Sequence, residues 1–212
     1  RSFHWLTPYA TVITSTAADH LDIYGTEEAY LESFSHYTSL IQPGGTLIMR
    51  KGISLHPRLQ EGVKCYTYST ESGDFHAENI RIGGGEIIFD YVSPLGNIQN
   101  VQLGVPVAIN IENGIAAMAL AQLSGATNEE IKAGMASFRG VDRRFDFKIK
   151  TDKIVYLSDY AHHPEEIKQS ILSMRALYEG KKMTGIFQPH LYTRTRDFYQ
   201  EFADSLSLLD EV

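Results

Sequence analysis

Three short stretches gather the side chains able to bind anions, hold metals or move protons. They are Asp19-His20-Leu21-Asp22, Asp159-Tyr160-Ala161-His162-His163-Pro164, and Gln188-Pro189-His190-Leu191-Tyr192-Thr193-Arg194-Thr195-Arg196. In the first, an imidazole between carboxylates suits a metal ligand or a general base. The same pattern also suits a histidine that caps the following loop. In the second, adjacent histidines point in different directions, and no further ligand pair stands at a zinc-like spacing, so structural zinc is not expected. Pro164 opens a helix, and the free amides of a first turn attract phosphate or carboxylate. Glu165-Glu166 read most simply as first-turn helix charge. Arg143, Arg144, Arg194 and Arg196 match carboxylate and phosphate geometry through paired hydrogen bonds. Their alternative reading is solvated arginines in exposed ion pairs, which contribute little. Gly83-Gly84-Gly85 lies between β-type runs with no Lys-Ser/Thr and no helix after it, so it reads as a hairpin turn rather than a phosphate loop.

These stretches need elements to position them. Thr11-Val12-Ile13-Thr14 reads as a buried strand, and Thr26-Glu27-Glu28 as a helix start with Thr26 as N-cap. Gln42-Pro43-Gly44-Gly45 stops that helix before a strand at Thr46-Leu47-Ile48-Met49, completing a βαβ unit and so a mostly parallel sheet. From Val63 to Val107, alternating runs (Lys64–Tyr68, His76–Ile82, Glu86–Val92, Ile98–Leu103) predict an antiparallel meander. Helices follow at Asn110 to Leu123 and, capped by Thr127, at Asn128 to Ser137. The polar stretch Arg139 to Asp146 suits a domain boundary. A second βαβ pattern then runs through a strand at Ile154 to Leu157, a helix from Pro164 to about Tyr178, a strand at Met183 to Phe187 and a helix at Thr195 to Leu208. The three polar stretches all fall beyond the carboxyl ends of predicted strands, where open α/β sheets bind ligands.

Composition excludes several classes. Of 212 residues 43% are hydrophobic, enough for a packed core and against disorder. No apolar run approaches the roughly 18–20 residues of a membrane helix. A net charge of −7 disfavours a protein that tracks nucleic-acid phosphates. The single cysteine, Cys65, forms no internal disulfide and fits a reducing compartment, and no signal-peptide pattern opens the chain. The expectation is a soluble cytoplasmic protein binding neither nucleic acid nor membrane. Oligomeric state is not legible. Arg1 in place of an initiator Met, and a close at Leu208-Leu209-Asp210-Glu211-Val212 where a next strand would begin, suggest a piece of a longer protein.

Asp19-His20-Leu21-Asp22-Ile23-Tyr24-Gly25, Arg143-Arg144-Phe145-Asp146, Asp159 to Pro164, and Phe187-Gln188-Pro189-His190 through Thr193-Arg194-Thr195-Arg196-Asp197 occur in that order. Together they resemble the Mur ligase family of peptidoglycan synthesis, along nearly the whole chain, and within it the alanine-adding branch. The resemblance implies an α/β fold. Residues 1–146 would form the second half of a central ATPase domain, a parallel sheet plus small antiparallel strands. Residues 147–212 would form the first half of a Rossmann-like C-terminal domain. It implies ATP and Mg²⁺ as cofactors, and UDP-N-acetylmuramate and L-alanine as substrates, joined through an acyl phosphate. The family's Gly-Lys-Thr phosphate loop and an upstream metal-binding glutamate would precede Arg1, so this chain alone is expected to be inactive.

Carried over by position, the resemblance assigns His20 to a magnesium ion, and Asn110 and Asn113 to adenine. Arg144 goes to the ATP phosphates, Asp159 to the ribose hydroxyls and Tyr160 to the neighbourhood of the adenine ring. His162, His190 and Arg194 line the pocket for alanine and the muramyl carboxylate. Two positions depart from the pattern: Ile109 replaces the histidine of the adenine element, and Leu191 stands where many relatives carry a second arginine. Ser35-His36-Tyr37 lacks the carbamylated lysine of other Mur ligases, as in the alanine-adding branch. The alternatives are the ligase that recycles a murein tripeptide onto the same sugar, whose counterpart of Gln188-Pro189-His190 usually differs, and a non-catalytic domain retaining the fold.

Overall fold

Thr46, at the edge of a glycine turn, sets the register of the first sheet. Its amide donates to Tyr9 O at 2.8 Å, and the Gln42 amide donates to Pro8 O at 2.9 Å. A Cβ on Gly45 would stand 2.4 Å from Tyr9 O, so only glycine lets the two segments approach this closely. The computed structural model describes residues 2–16, 21–190 and 192–212. Strands β1 (Ala10–Ile13) and β2 (Thr46–Arg50) pair in parallel, with Val12 opposite Ile48. Helices α1 (Leu21–Tyr24) and α2 (Glu27–Thr38) connect them. Thr26 caps α2 as predicted, its hydroxyl accepting from the Ala29 amide at 3.2 Å. Strand β2 is central, and Leu47 and Ile48 are both fully buried, as a strand covered on two faces must be. Leu47 joins Ile13, Ile41 and Leu55 in a core backed by Phe34 and Met49.

The third strand of that sheet, β3 (Lys64–Tyr68), corrects the sequence expectation. It runs parallel to β2, with Ile48 opposite Tyr66, rather than opening the antiparallel meander. Alternation of side chains fixes which face a strand buries but not its direction. Here the connection 51–63 is long enough for a parallel crossover and carries Leu55 into the core. The remaining runs form the second sheet, ordered β4 (His76–Gly83), β5 (Glu86–Val92), β6 (Ile98–Gln102). Their connections are too short for crossovers, so neighbours are antiparallel. Gly84 and Gly85 both have positive φ, 59° and 77°, the pair that a tight hairpin requires.

Helices α3 (Ile109–Leu123) and α4 (Asn128–Ser137) follow. Thr127 and Glu130 form a reciprocal cap before α4, at 2.8 Å and 3.2 Å. Strands β7 (Asp146–Lys150) and β8 (Val155–Ser158) then pair antiparallel; β7 is not predicted by the sequence, because its exposed half lacks an apolar run. Next come α5 (Pro164–Leu177), α6 (Tyr192–Asp197) and α7 (Tyr199–Leu206). The helix expected from Thr195 instead starts at Tyr192 and breaks at Phe198, whose ring packs against His163 at 5.3 Å. Met183–Phe187 is not a full strand: among the described residues Thr184 makes one parallel bridge, to Glu211. Ile167, Ile171 and Phe202 form the core of this region, with Met183 and Phe187 packed on it.

By contacts the chain divides into two units, one comprising Arg1–Asn79, Phe89–Asn100 and Ile111–Lys132, the other Ile80–Ile88, Val101–Asn110 and Ala133–Val212. No helix among the described residues is long and apolar enough to cross a membrane.

Thr38 ends α2 fully buried, its hydroxyl donating to Ser35 O at 2.7 Å and accepting from the Arg58 amide at 2.8 Å. Thr38→Val keeps the shape and strands that amide, so urea unfolding should show a loss of about 1–3 kcal/mol. An unchanged midpoint would mean the amide finds another acceptor.

Candidate functional site

The turn between α4 and β7 holds its shape against local preference. Arg143 and Phe145 both adopt left-handed backbone, with φ of 61° and 48°. For such bulky residues this conformation costs on the order of 1–3 kcal/mol each. Several contacts offset the strain. Phe145 is buried, with its ring edge-on to Phe147 at 5.5 Å. The Tyr160 amide donates to Arg143 O at 2.6 Å, and the Arg143 amide to Asp146 Oδ2 at 3.2 Å. Lys148 pairs with both Asp142 and Asp146. Lys148 first, then the Arg143 amide, holds the Asp146 carboxyl below its ordinary range. Between the two strained residues, Arg144 is exposed, and its guanidinium has no hydrogen bond or ion pair to a described residue.

Asp159, just beyond β8, is occupied by the chain itself. Its Oδ1 accepts from the Phe145 amide at 3.4 Å, and its Oδ2 accepts from the Ser170 hydroxyl on α5. A carboxylate has about four acceptor positions, so two remain for a ligand. Tyr160 is exposed, with its ring 5.2 Å from that of His162. His162 Nδ1 lies 3.0 Å from Tyr160 O and 3.5 Å from Glu166 Oε2.

The anion expected at the start of α5 is supplied by α5. Glu166 accepts from the amides of His162 at 3.0 Å and His163 at 3.2 Å, while His163 is the N-cap and accepts from the Glu165 amide at 3.4 Å. Burial works against the Glu166 charge, but those amides and the neighbouring imidazoles outweigh it and bring its carboxyl below the ordinary 4.5.

Arg144, Asp159, Tyr160 and His162 therefore form one cluster. His190 is exposed in irregular chain and makes no contact of these kinds with a described residue. Arg194 lies on the backbone of α6. His20 and Leu191 lie outside the described residues. In the first turn of α3, Asn110 is half-buried, with its side-chain amide donating to Val105 O at 3.1 Å; Asn113 is exposed, and Ile109 is 59% exposed. Among the described residues no group of three or more His, Cys, Asp or Glu converges on a metal position.

One group escaped the sequence reading. Arg50, the last residue of β2, sits 2.8 Å from Glu112 in the first turn of α3, whose side chain is only 14% exposed. Tyr68, the last residue of β3, is buried; burial and then Glu112, opposed by Arg50, push its hydroxyl up to about 12. The pairing ties the start of α3 to the carboxyl ends of two parallel strands. Nothing local in the sequence names Arg50 as the partner of Glu112.

Residues 2–121 match the Mur ligase middle domain, and residues 143–212 match the Mur ligase, glutamate ligase domain. The chain belongs to the Mur ligase family. It is 82% identical over 212 residues to the UDP-N-acetylmuramate–L-alanine ligase of Phocaeicola vulgatus, and 66% identical over 213 residues to that of Parabacteroides distasonis. In both cases it spans about half the relative's length, 46%. Its fold matches the UDP-N-acetylmuramate-alanine ligase MurC of Thermotoga maritima with a TM-score of 0.80 at 25% identity, covering 99% of this chain and 47% of that one. The MurF ligase of Thermotoga maritima, solved in complex with ADP, shares the fold at a TM-score of 0.69 and 19% identity, over 96% of this chain and 47% of its own.

Because Glu166 titrates below its ordinary value in the folded protein, its stabilisation is complete above that value and is lost as pH falls through the lowered one. Lowering the pH progressively below 4.5 should therefore reduce hydrogen-exchange protection of the His162 and His163 amides. Glu166→Gln should flatten that dependence. Protection independent of pH in the unaltered protein would contradict the assignment.

Proposed function

We propose that this chain is part of a cytoplasmic ligase that uses ATP to join L-alanine to the lactyl carboxylate of UDP-N-acetylmuramate. The observation that carries the reading is the high identity, along the entire chain, to the Phocaeicola vulgatus ligase of that name. Residues 1–146 would belong to the central ATP-binding domain and residues 147–212 to the first half of the C-terminal ligase domain. In the reaction, a carboxylate oxygen attacks the γ-phosphorus and ADP leaves. The alanine amine then attacks the acyl carbon, loses a proton, and expels inorganic phosphate as the amide forms. Both steps move negative charge between oxygens, so positioning and charge neutralisation carry most of the catalysis.

The donor set suits these ligands. The exposed Arg144 guanidinium offers paired hydrogen bonds to the ATP phosphates. Tyr160 offers an exposed ring face near adenine, and Asp159 its remaining acceptor positions to ribose hydroxyls. Asn110 and Asn113 carry the amides that read adenine. Magnesium, when bound, neutralises phosphate charge, and His20 is the residue assigned to it. His162, His190 and Arg194 are assigned to the alanine and muramyl carboxylate pocket. The 212 residues contain no Gly-x-x-x-x-Gly-Lys-Ser/Thr motif, so the activity is assigned to the whole protein.

The full-length protein given UDP-N-acetylmuramate, ATP and Mg²⁺ should release ADP on addition of L-alanine. His20→Ala should lower that rate about 100-fold or more, and the present chain alone should release none. Release only with a murein tripeptide would assign the protein to the recycling branch. No release with any acceptor would leave the fold without this chemistry.

A further inference from the structure

We propose that Ser170 is a positioning residue that acts through Asp159 to hold the strained Arg143–Phe145 turn, and so presents Arg144 to the phosphates of the nucleotide. The inference rests on the reading of Arg144 given above; the role of Ser170 follows from geometry.

Arg144 sits between two residues in left-handed backbone, so its direction depends on whatever keeps them there. A turn that relaxed to ordinary φ would swing the guanidinium elsewhere. Three contacts oppose relaxation from the side of β8 and α5: Tyr160 N to Arg143 O at 2.6 Å, Phe145 N to Asp159 Oδ1 at 3.4 Å, and the Ser170 hydroxyl to Asp159 Oδ2. The first two fix the turn to the segment after β8. That segment is irregular chain, and something must hold it in turn. Ser170 does so from a rigid element: α5 is anchored by Ile167 and Ile171, which flank Ser170 and are buried in the core with Phe202. The hydroxyl therefore restrains the Asp159 carboxylate from a packed helix, leaving Oδ1 aimed at the turn. A single hydroxyl on a packed helix thus sets the orientation of an arginine across two intervening residues.

Ser170→Ala, Ser170→Thr, Arg144→Ala and the Ser170→Ala/Arg144→Ala double variant of the full-length enzyme test this. The readouts are the Kd of a non-hydrolysable ATP analogue, KM for ATP, kcat, and hydrogen exchange at the Phe145 amide. Ser170→Ala should weaken nucleotide binding and raise KM for ATP about five- to tenfold, the scale of one lost hydrogen bond, with faster Phe145 exchange and a smaller change in kcat. Ser170→Thr, which keeps the hydroxyl, should restore affinity. In the Arg144→Ala background the Ser170 change should have little further effect, because the group it positions is gone. Equal losses in both backgrounds, or normal affinity in Ser170→Ala beside weak binding in Arg144→Ala, would overturn the role of Ser170 alone. Normal affinity in Arg144→Ala would overturn the reading of Arg144 and this inference with it.

Discussion

The carboxylate of Asp159 joins backbone and side chain from separate parts of the chain, taking the Phe145 amide on one oxygen and the Ser170 hydroxyl on the other. The arrangement of the cluster around Arg144 depends on it. The turn from Arg139 to Phe145 has one isolated bridge, between Val141 and Arg144, and no ladder, and two of its residues adopt backbone that disfavours their side chains. Such a turn keeps one shape only where its surroundings over-determine it. Phe145 contributes by burial, Lys148 by pairing with Asp142 and Asp146, and Asp159 by linking the turn to a helix fixed in the core. The exposed charge of Arg144 is thereby carried on a constrained loop, which would lower the entropy lost on meeting an anion.

The parallel sheet solves a different problem by the same means. Close approach at Gly45 brings the start of β2 against Tyr9, and the buried strand β2 then sets the height at which β1, β2 and β3 end. Arg50 and Tyr68 fall at those ends, and Glu112 answers them from α3. A half-exposed arginine beside a nearly buried carboxylate fixes the start of the helix carrying Asn113, with less freedom than helix packing alone would give.

Much of this was legible because it is local. The caps at Thr26 and Thr127, Pro164 at the start of α5 and the glycine hairpin each depend on residues within a few positions, and sequence records such neighbours directly. The cluster just beyond β8 and the family resemblance were legible for the same reason. What escaped was set at a distance. Lys64–Tyr68 alternates equally well in either direction, and its long connection made it parallel. Thr184 pairs with Glu211, far along the chain, in a single bridge. Ser170 looks like any helix serine until the fold sets it beside Asp159. Left-handed backbone at Arg143 and Phe145 is imposed by tertiary contacts and has no signature in residue type.

Glu166 gives the start of α5 a resident anion. Tethered in the same chain, it competes at a high effective concentration, which dilution of the protein does not reduce. A phosphate or carboxylate arriving at those amides gains only the difference between its own binding and that of the tenant. Under the role proposed for Arg144, anion recognition would fall to that guanidinium rather than to the helix end. A helix start that advertises itself as a generic anion trap is thus a poorer one, because its own capping carboxylate already holds the His162 and His163 amides.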